Sequence, residues 1–154
     1  MGTDLVGSDG GSQYAYYLSV CGALNSSAAS TCGQVNAEAS ACQLQVQGGV
    51  QTFDLGNWDA SAAPQWSYIN ANVPAVGIQY QLTGATQCWA QGGSAQPFQT
   101  TVQFQCASAQ GKGFKVQHDA TGCNTTFIMS TPLACPAPAQ VEDRRRPTIV
   151  LTEN

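Results

Sequence analysis

The sequence predicts an all-β domain, an antiparallel sandwich or flattened barrel stapled by disulfides. Three observations carry that expectation. Short segments alternate apolar with polar residues and are separated by clusters of Gly, Pro, Ser and Asn. No window of eleven or more residues shows a convincing 3.6-residue period, and the one helix-like stretch, 37–43, is short. Seven cysteines lie at long, irregular spacings without a C-x-x-C pair, a pattern of bridges rather than of a metal knuckle.

The elements follow in order. Residues 1–13 are rich in Gly, Ser and Asp and read as a flexible N-terminal segment. From Tyr14 to Cys21, Tyr16, Leu18 and Val20 alternate against Ala15, Tyr17 and Ser19, which predicts a strand with one buried face. Residues 22–39 form a small-residue loop carrying Cys32. A second strand starts near Ala41, and Gly48-Gly49 marks a turn into the next, Val50–Leu55. The run Asp54–Asp59 reads as a turn, and Trp58 and Trp66 as packing residues in the core or at a sheet edge. Gly77–Leu82 places Ile78, Tyr80 and Leu82 on one face, and Thr100–Cys106 places Val102 and Phe104 likewise. Phe114–Gln117 and Thr126–Met129 are two further short strands. Beyond Pro136 the composition shifts to a Pro/Ala linker, then Glu142, Asp143 and three arginines, so 137–154 reads as a linker or C-terminal tail.

Composition narrows the function classes. The chain of 154 residues is 43% hydrophobic, enough for a packed core, but only 9% charged, against about 25% in an average soluble protein. Its 18 glutamines keep strand faces polar without charge. The net charge is −4, and no Lys or Arg precedes Lys112. Nucleic-acid affinity comes mainly from neutralised phosphates, so that partner class is excluded. His118 is the sole histidine, and no cofactor or metal motif is present. No run of 18 apolar residues predicts a membrane span. Cysteine content and two sequons, at Asn25 and Asn124, point to the secretory lumen, the endolysosomal system or the exterior. With no signal peptide at its start, the chain reads as a piece of a larger precursor. No G-x-S-x-G elbow accompanies His118, and Asp54 and Asp59 lie in the predicted turn, so the expectation is that the protein is not an enzyme.

Six motifs in order then resemble the mannose 6-phosphate receptor homology domains, over about Tyr14–Pro136. They are Tyr16–Gly22, Ser40–Gln43, Gly77–Leu82 with Gly84 and Cys88, Thr101–Cys106, Cys123–Phe127, and the closing Thr131–Pro136. The last is most like a repeat of the cation-independent receptor. The resemblance implies a flattened barrel of two crossed sheets over 14–136, with bridges Cys32–Cys42, Cys88–Cys123 and Cys106–Cys135. Bridges closing loops of about 30 residues are worth roughly 3–4 kcal/mol each in the chain-entropy account. In complete repeats the cysteine equivalent to Cys21 pairs near the domain's N-terminus. Residues 1–13 hold no cysteine, so the N-terminal hairpin is expected to be truncated, lost or diverged, and Cys21 to be unpaired.

Sugar-binding members of that family grip mannose with Gln, Arg, Glu and Tyr. By the resemblance, the Gln falls at Gln43 (Gln45 is its neighbour), the Arg at Phe98, the Glu at Ala120 or Asp119, and the Tyr at Thr125. The pocket is therefore expected to be degenerate, because losing charge-assisted hydrogen bonds costs about 1.5–3 kcal/mol each. Trp89, in the family's pocket-side loop, is either a sugar-stacking face or a packing anchor. Lys112 and Lys115 read as a solvated turn. His118 reads as a lone surface histidine, with a pH-sensitive pair to Asp119 as the alternative. The expected function is a lumenal or extracellular, non-catalytic recognition or scaffolding module of a receptor-like multidomain protein. One alternative is a lectin of altered specificity that uses Gln43, Asp119 and Trp89 on a neutral mannose-type glycan. A second is a structural subunit of a larger assembly. The expected partners are a glycan or protein ligand and neighbouring domains or subunits.

Overall fold

A computed structural model describes residues 5–8, 14–20, 22–25, 32, 37–45, 51–59, 61, 64–89 and 93–137. Among the described residues nine strands form two sheets: β1 (Leu5–Ser8), β2 (Tyr14–Leu18), β3 (Ala39–Gln45) and β4 (Gln51–Asn57) in one, and β5 (Ser67–Tyr68), β6 (Gly77–Trp89), β7 (Ala95–Cys106), β8 (Lys115–His118) and β9 (Asn124–Thr131) in the other. Short 3-10 turns lie at Pro74–Val76 and Pro132–Ala134. The fold is all-β, as the alternation predicts.

The first sheet is a meander in chain order. The second has the order β5-β6-β7-β9-β8: β9 inserts between β7 and β8, antiparallel to β8 but parallel to β7. That parallel pair is the departure from a purely antiparallel arrangement. Inward side chains from both sheets meet in one core, with Tyr16, Leu18, Ala41 and Leu55 on one side and Tyr80, Leu82, Val102, Phe127 and Met129 on the other. A smaller cluster of Leu24, Ala39 and the Cys32–Cys42 bridge, with Tyr17 against it, packs on the opposite side of β2 and β3.

The sheets approach most closely where β4 meets β6. Between Thr83 and Gln87 the β6–β7 register slips, and this bulge brings the Thr86 hydroxyl to the Asp54 backbone N–H at 2.9 Å. Beside it a Cβ on Gly84 would stand 2.3 Å from the Asp54 carbonyl oxygen, so only glycine fits. The Thr100 hydroxyl donates to the Leu55 carbonyl at 2.7 Å, a second polar link through the core. Among the described residues, every buried side-chain nitrogen or oxygen has a partner.

Three local expectations change. Leu5–Ser8, inside the segment read as flexible, forms β1 and pairs antiparallel with β2, Leu5 opposite Leu18. The N-terminal hairpin is therefore present as a backbone pair, and what the segment lacks is the cysteine. Backbone hydrogen bonding to an existing strand needs no apolar periodicity, which is why composition misread it. Asp54–Asn57 belongs to β4 rather than to a turn, and Asp54 is fully buried, accepting the Gly56 N–H at 3.1 Å. Cys21 and residues 138–154 lie outside the described residues.

Candidate functional site

The inward stripes of the strands emerge at two ends of the barrel. At one end Tyr14 and Tyr16 begin β2, Phe98 lies early in β7 and Thr125 early in β9, while Gln43, Phe53 and His118 come from β3, β4 and β8. A cavity of about 290 Å³ opens there, lined by Tyr14, Tyr16, Gln43, Phe53, Phe98, His118 and Gly122.

Its polar groups form a chain. Register sets Tyr16 opposite Gln43 across β2 and β3, and the Gln43 amide donates to the Tyr16 hydroxyl at 3.1 Å. That hydroxyl also meets His118 Nε2 at 2.8 Å, and His118 Nδ1 meets the Thr125 hydroxyl at 3.2 Å. Tyr16 and Thr125 are buried, so the imidazole at the mouth is held by the fold on both nitrogens. His118 is thus exposed without being lone. Beside them lies an apolar stretch of wall: Phe53, paired with Gln43 across β3 and β4, meets the ring of Phe98 from the other sheet edge to face at 6.3 Å.

The 119–123 loop closes the site. Asp119 caps it: its carboxylate accepts from the Thr121 hydroxyl at 2.8 Å and from the Asn124 side-chain amide at 2.6 Å. What burial it has favours the neutral acid, but hydrogen bonds from Thr121, Asn124 and Gly122 outweigh that and lower the pKa to about 2. The Cys88–Cys123 bridge and the bond from Gln99 N–H to the Cys123 carbonyl anchor the loop's far end.

Of the residues singled out in the sequence, the structure brings Gln43 and Phe98 to the cavity wall and places Thr125 beneath His118. Asp119 turns its carboxylate into its own loop and is not part of the lining. Trp89, at the end of β6, is 75% exposed and also stands away from the lining. Asn25 and Asn124 are both exposed. Tyr14, Tyr16 and Phe53 were not singled out; the period-2 stripe of β2 and its pairing to Gln43 are the signals that lead to the two tyrosines. Asp54 is buried while Asp59 is exposed and caps Ser61, so the two acids share no cleft. Cys32–Cys42, Cys88–Cys123 and Cys106–Cys135, the pairs implied by the resemblance, are bridged, which fits a non-cytosolic compartment. Among the described residues no helix is long and apolar enough to cross a membrane, and no group of three or more His, Cys, Asp or Glu could hold a metal.

Two sheets with β9 inserted between β7 and β8, three disulfides and an end cavity carrying Gln43 are consistent with the all-β fold of mannose 6-phosphate receptor homology domains. The family model of autophagy-related protein 27 matches residues 8–148, and the chain belongs to that family. This corrects the expectation of a repeat of the cation-independent receptor: the family is receptor-like, and the match is not to a receptor repeat. The motifs that misled lie on strands and bridges, as Thr101–Cys106 does on β7 and Cys135 in a bridge, and a shared scaffold does not distinguish its users. No curated protein matches the chain.

Proposed function

We propose that the protein is a non-catalytic recognition module of the secretory or endolysosomal lumen whose end cavity does not read phosphomannose. The family's autophagy-related description supports the endolysosomal setting. The observation that carries the reading is Phe98: its ring lines the cavity where the resemblance expects the arginine that grips mannose, so the sugar, phosphorylated or not, lacks that charge-assisted donor. No lysine or arginine is among the lining residues. His118 offers no substitute, because both ring nitrogens already bond to Tyr16 and Thr125. A phosphate entering this site would lose water without gaining a charged donor.

A second reading, a lectin for neutral mannose-type glycans, is favoured by the arrangement of the walls. The Gln43 amide and Tyr16 hydroxyl share the cavity with the Phe53 and Phe98 rings, Phe53 being the cross-strand neighbour of Gln43, which offers a sugar ring both hydroxyl partners and an apolar face. Titration of the disulfide-intact protein with mannose and mannose 6-phosphate, alongside a glycan array, tests both. The expected result is no advantage for the phosphorylated sugar, and binding of both sugars strengthened about tenfold by Phe98→Arg. Wild-type preference for mannose 6-phosphate would overturn the first reading. An array showing mannosyl binding abolished by Gln43→Ala supports the second, and a flat array from folded protein removes it.

A further inference from the structure

Asn124, Thr125 and Thr126 open β9 and form the acceptor tripeptide for N-linked carbohydrate. Burial alternates along the strand: Thr125, Phe127 and Met129 are buried, so Asn124 and Thr126 belong to the outer face of the second sheet. Asn124 is exposed there, in register beside Gln99 of β7. Its outward surroundings are neutral and polar, with the Thr83 hydroxyl donating to Gln99 at 3.2 Å and the Gln103 amide to Gln79 at 3.0 Å. A bulky polar group leaving this face displaces no core contact.

The root of such a group is already held. Asp119 grips Asn124 with both carboxylate oxygens: Oδ1 accepts the backbone N–H at 3.3 Å and Oδ2 the side-chain amide at 2.6 Å. The Asp119 N–H in turn donates to the Asn124 carbonyl at 3.1 Å. The Cys88–Cys123 bridge fixes the residue before it. An asparagine amide nitrogen carries two hydrogens. Asp119 takes one, and replacing the other by carbon leaves that bond in place.

We propose that Asn124 is an N-glycosylation site whose glycan stands on the outer face of the second sheet, with its root held by Asp119 and the polar cavity left open. The transfer forms a bond from Nδ2 to the anomeric carbon of a lipid-pyrophosphate-linked oligosaccharide. The bond from that carbon to the pyrophosphate oxygen breaks, the lipid pyrophosphate leaves with the electron pair, and Nδ2 gives up one proton to a base of the transferring enzyme. Modification precedes folding, because in the finished sheet β9 is bonded along both edges, to β7 and to β8, and its backbone is closed to an enzyme. The Thr125 hydroxyl turns the other way, to His118 Nδ1 at 3.2 Å, so consecutive residues serve opposite faces and the glycan stays off the cavity side. The site rests on the lumenal setting argued above and on neither sugar-binding reading.

The test expresses the full chain behind a secretion leader in a eukaryotic host. Enzymatic deglycosylation in heavy-oxygen water with peptide mapping then reads Asn124 apart from Asn25. Carbohydrate is expected at Asn124 and is lost in Thr126→Val, which breaks the tripeptide at an outward position while keeping the amide and its bond to Asp119. Against Thr126→Val, the glycosylated protein shifts the amides of 119–126 and Gln99 and leaves Gln43 and Phe53 silent. Its amides at 119–123 exchange at the same rate within about twofold, whereas Asn124→Asp, which sets a second carboxylate against Asp119, speeds them about tenfold. Secreted protein bare at Asn124 overturns the site. Shifts at Gln43 and Phe53 overturn the outer-face placement, and glycosylated protein that exchanges like Asn124→Asp overturns the held root. Failure of the three bridges to form in the secreted chain counts instead against the lumenal reading, and occupancy at Asn124 is read on the same material either way.

Discussion

The two ends of the barrel share their inner stripes and differ in what the neighbouring segments add. β7 presents Phe98, Thr100, Val102 and Phe104 along one face, so each end receives a phenylalanine from the same strand. At one end Gln43, Tyr16 and His118 surround that ring with hydrogen-bonding groups; at the other Trp66 and Leu133 surround it with hydrocarbon. The scaffold therefore supplies an opening at each end, and residues at strand termini and in the adjoining turns decide its chemistry. One domain of this size thus carries a polar opening and an apolar one.

The bridges test whether the ends are independent. Cys88–Cys123 secures the loop at the polar end and Cys106–Cys135 the turn at the apolar end. Replacing either pair by serine is expected to lower stability by about 3–4 kcal/mol, measured by urea denaturation. If the ends are separate, amide exchange rises first around 119–123 in one variant and around 132–135 in the other; the same protection map for both would show a single coupled unit.

A smaller effect sharpens the comparison at the polar end alone. Tyr16→Phe removes the hydroxyl shared by Gln43 and His118, and is expected to cost about 1–3 kcal/mol. Amide shifts from that change should stay around Gln43, His118 and Thr125, while Trp66 and Leu133 stay silent.

The smallest effect concerns Asp119. Its pKa of about 2 lies below the ordinary 3.8, so its contribution to stability is full above 3.8 and is lost as pH falls through about 2. Asp119→Asn should flatten the acid limb of the stability curve by lowering stability at neutral pH slightly and leaving it nearly unchanged near pH 2, as read by thermal melts from pH 2 to pH 7. An unchanged acid limb would mean that the loop's hydrogen bonds do not act through the charged carboxylate.

The stripes were legible because burial on one face writes a period of two into the sequence, as in Tyr16-Leu18-Val20 and Ile78-Tyr80-Leu82. β1 and β5 were not, since four residues beside Gly and Ser and two residues before a proline turn carry too little pattern to read. The site was legible in part. Gln43 and Phe98 were reached through the family motif, and both line the cavity. Asp119 and Trp89 were placed by the same spacing, but spacing does not fix side-chain direction, and neither lines it. His118 meets Tyr16 across 102 residues of sequence, a contact that only the pairing of β8 with β9 and the stacking of the sheets creates.

The position of β9 has a consequence for how the protein is assembled. It lies between two strands that both precede it in the chain, so β7 and β8 cannot close the sheet without it. As synthesis proceeds, the β1–β4 meander has all its partners by residue 57, while the second sheet waits for residue 131. Until then β7 exposes an unpaired edge and the first sheet lacks Phe127 and Met129 on its core. The C-terminal strand is the step that commits the domain, and its pairing with β7 is non-local and slow by topology. Premature release or cleavage before Thr131 would leave a sticky, half-built particle for quality control to clear.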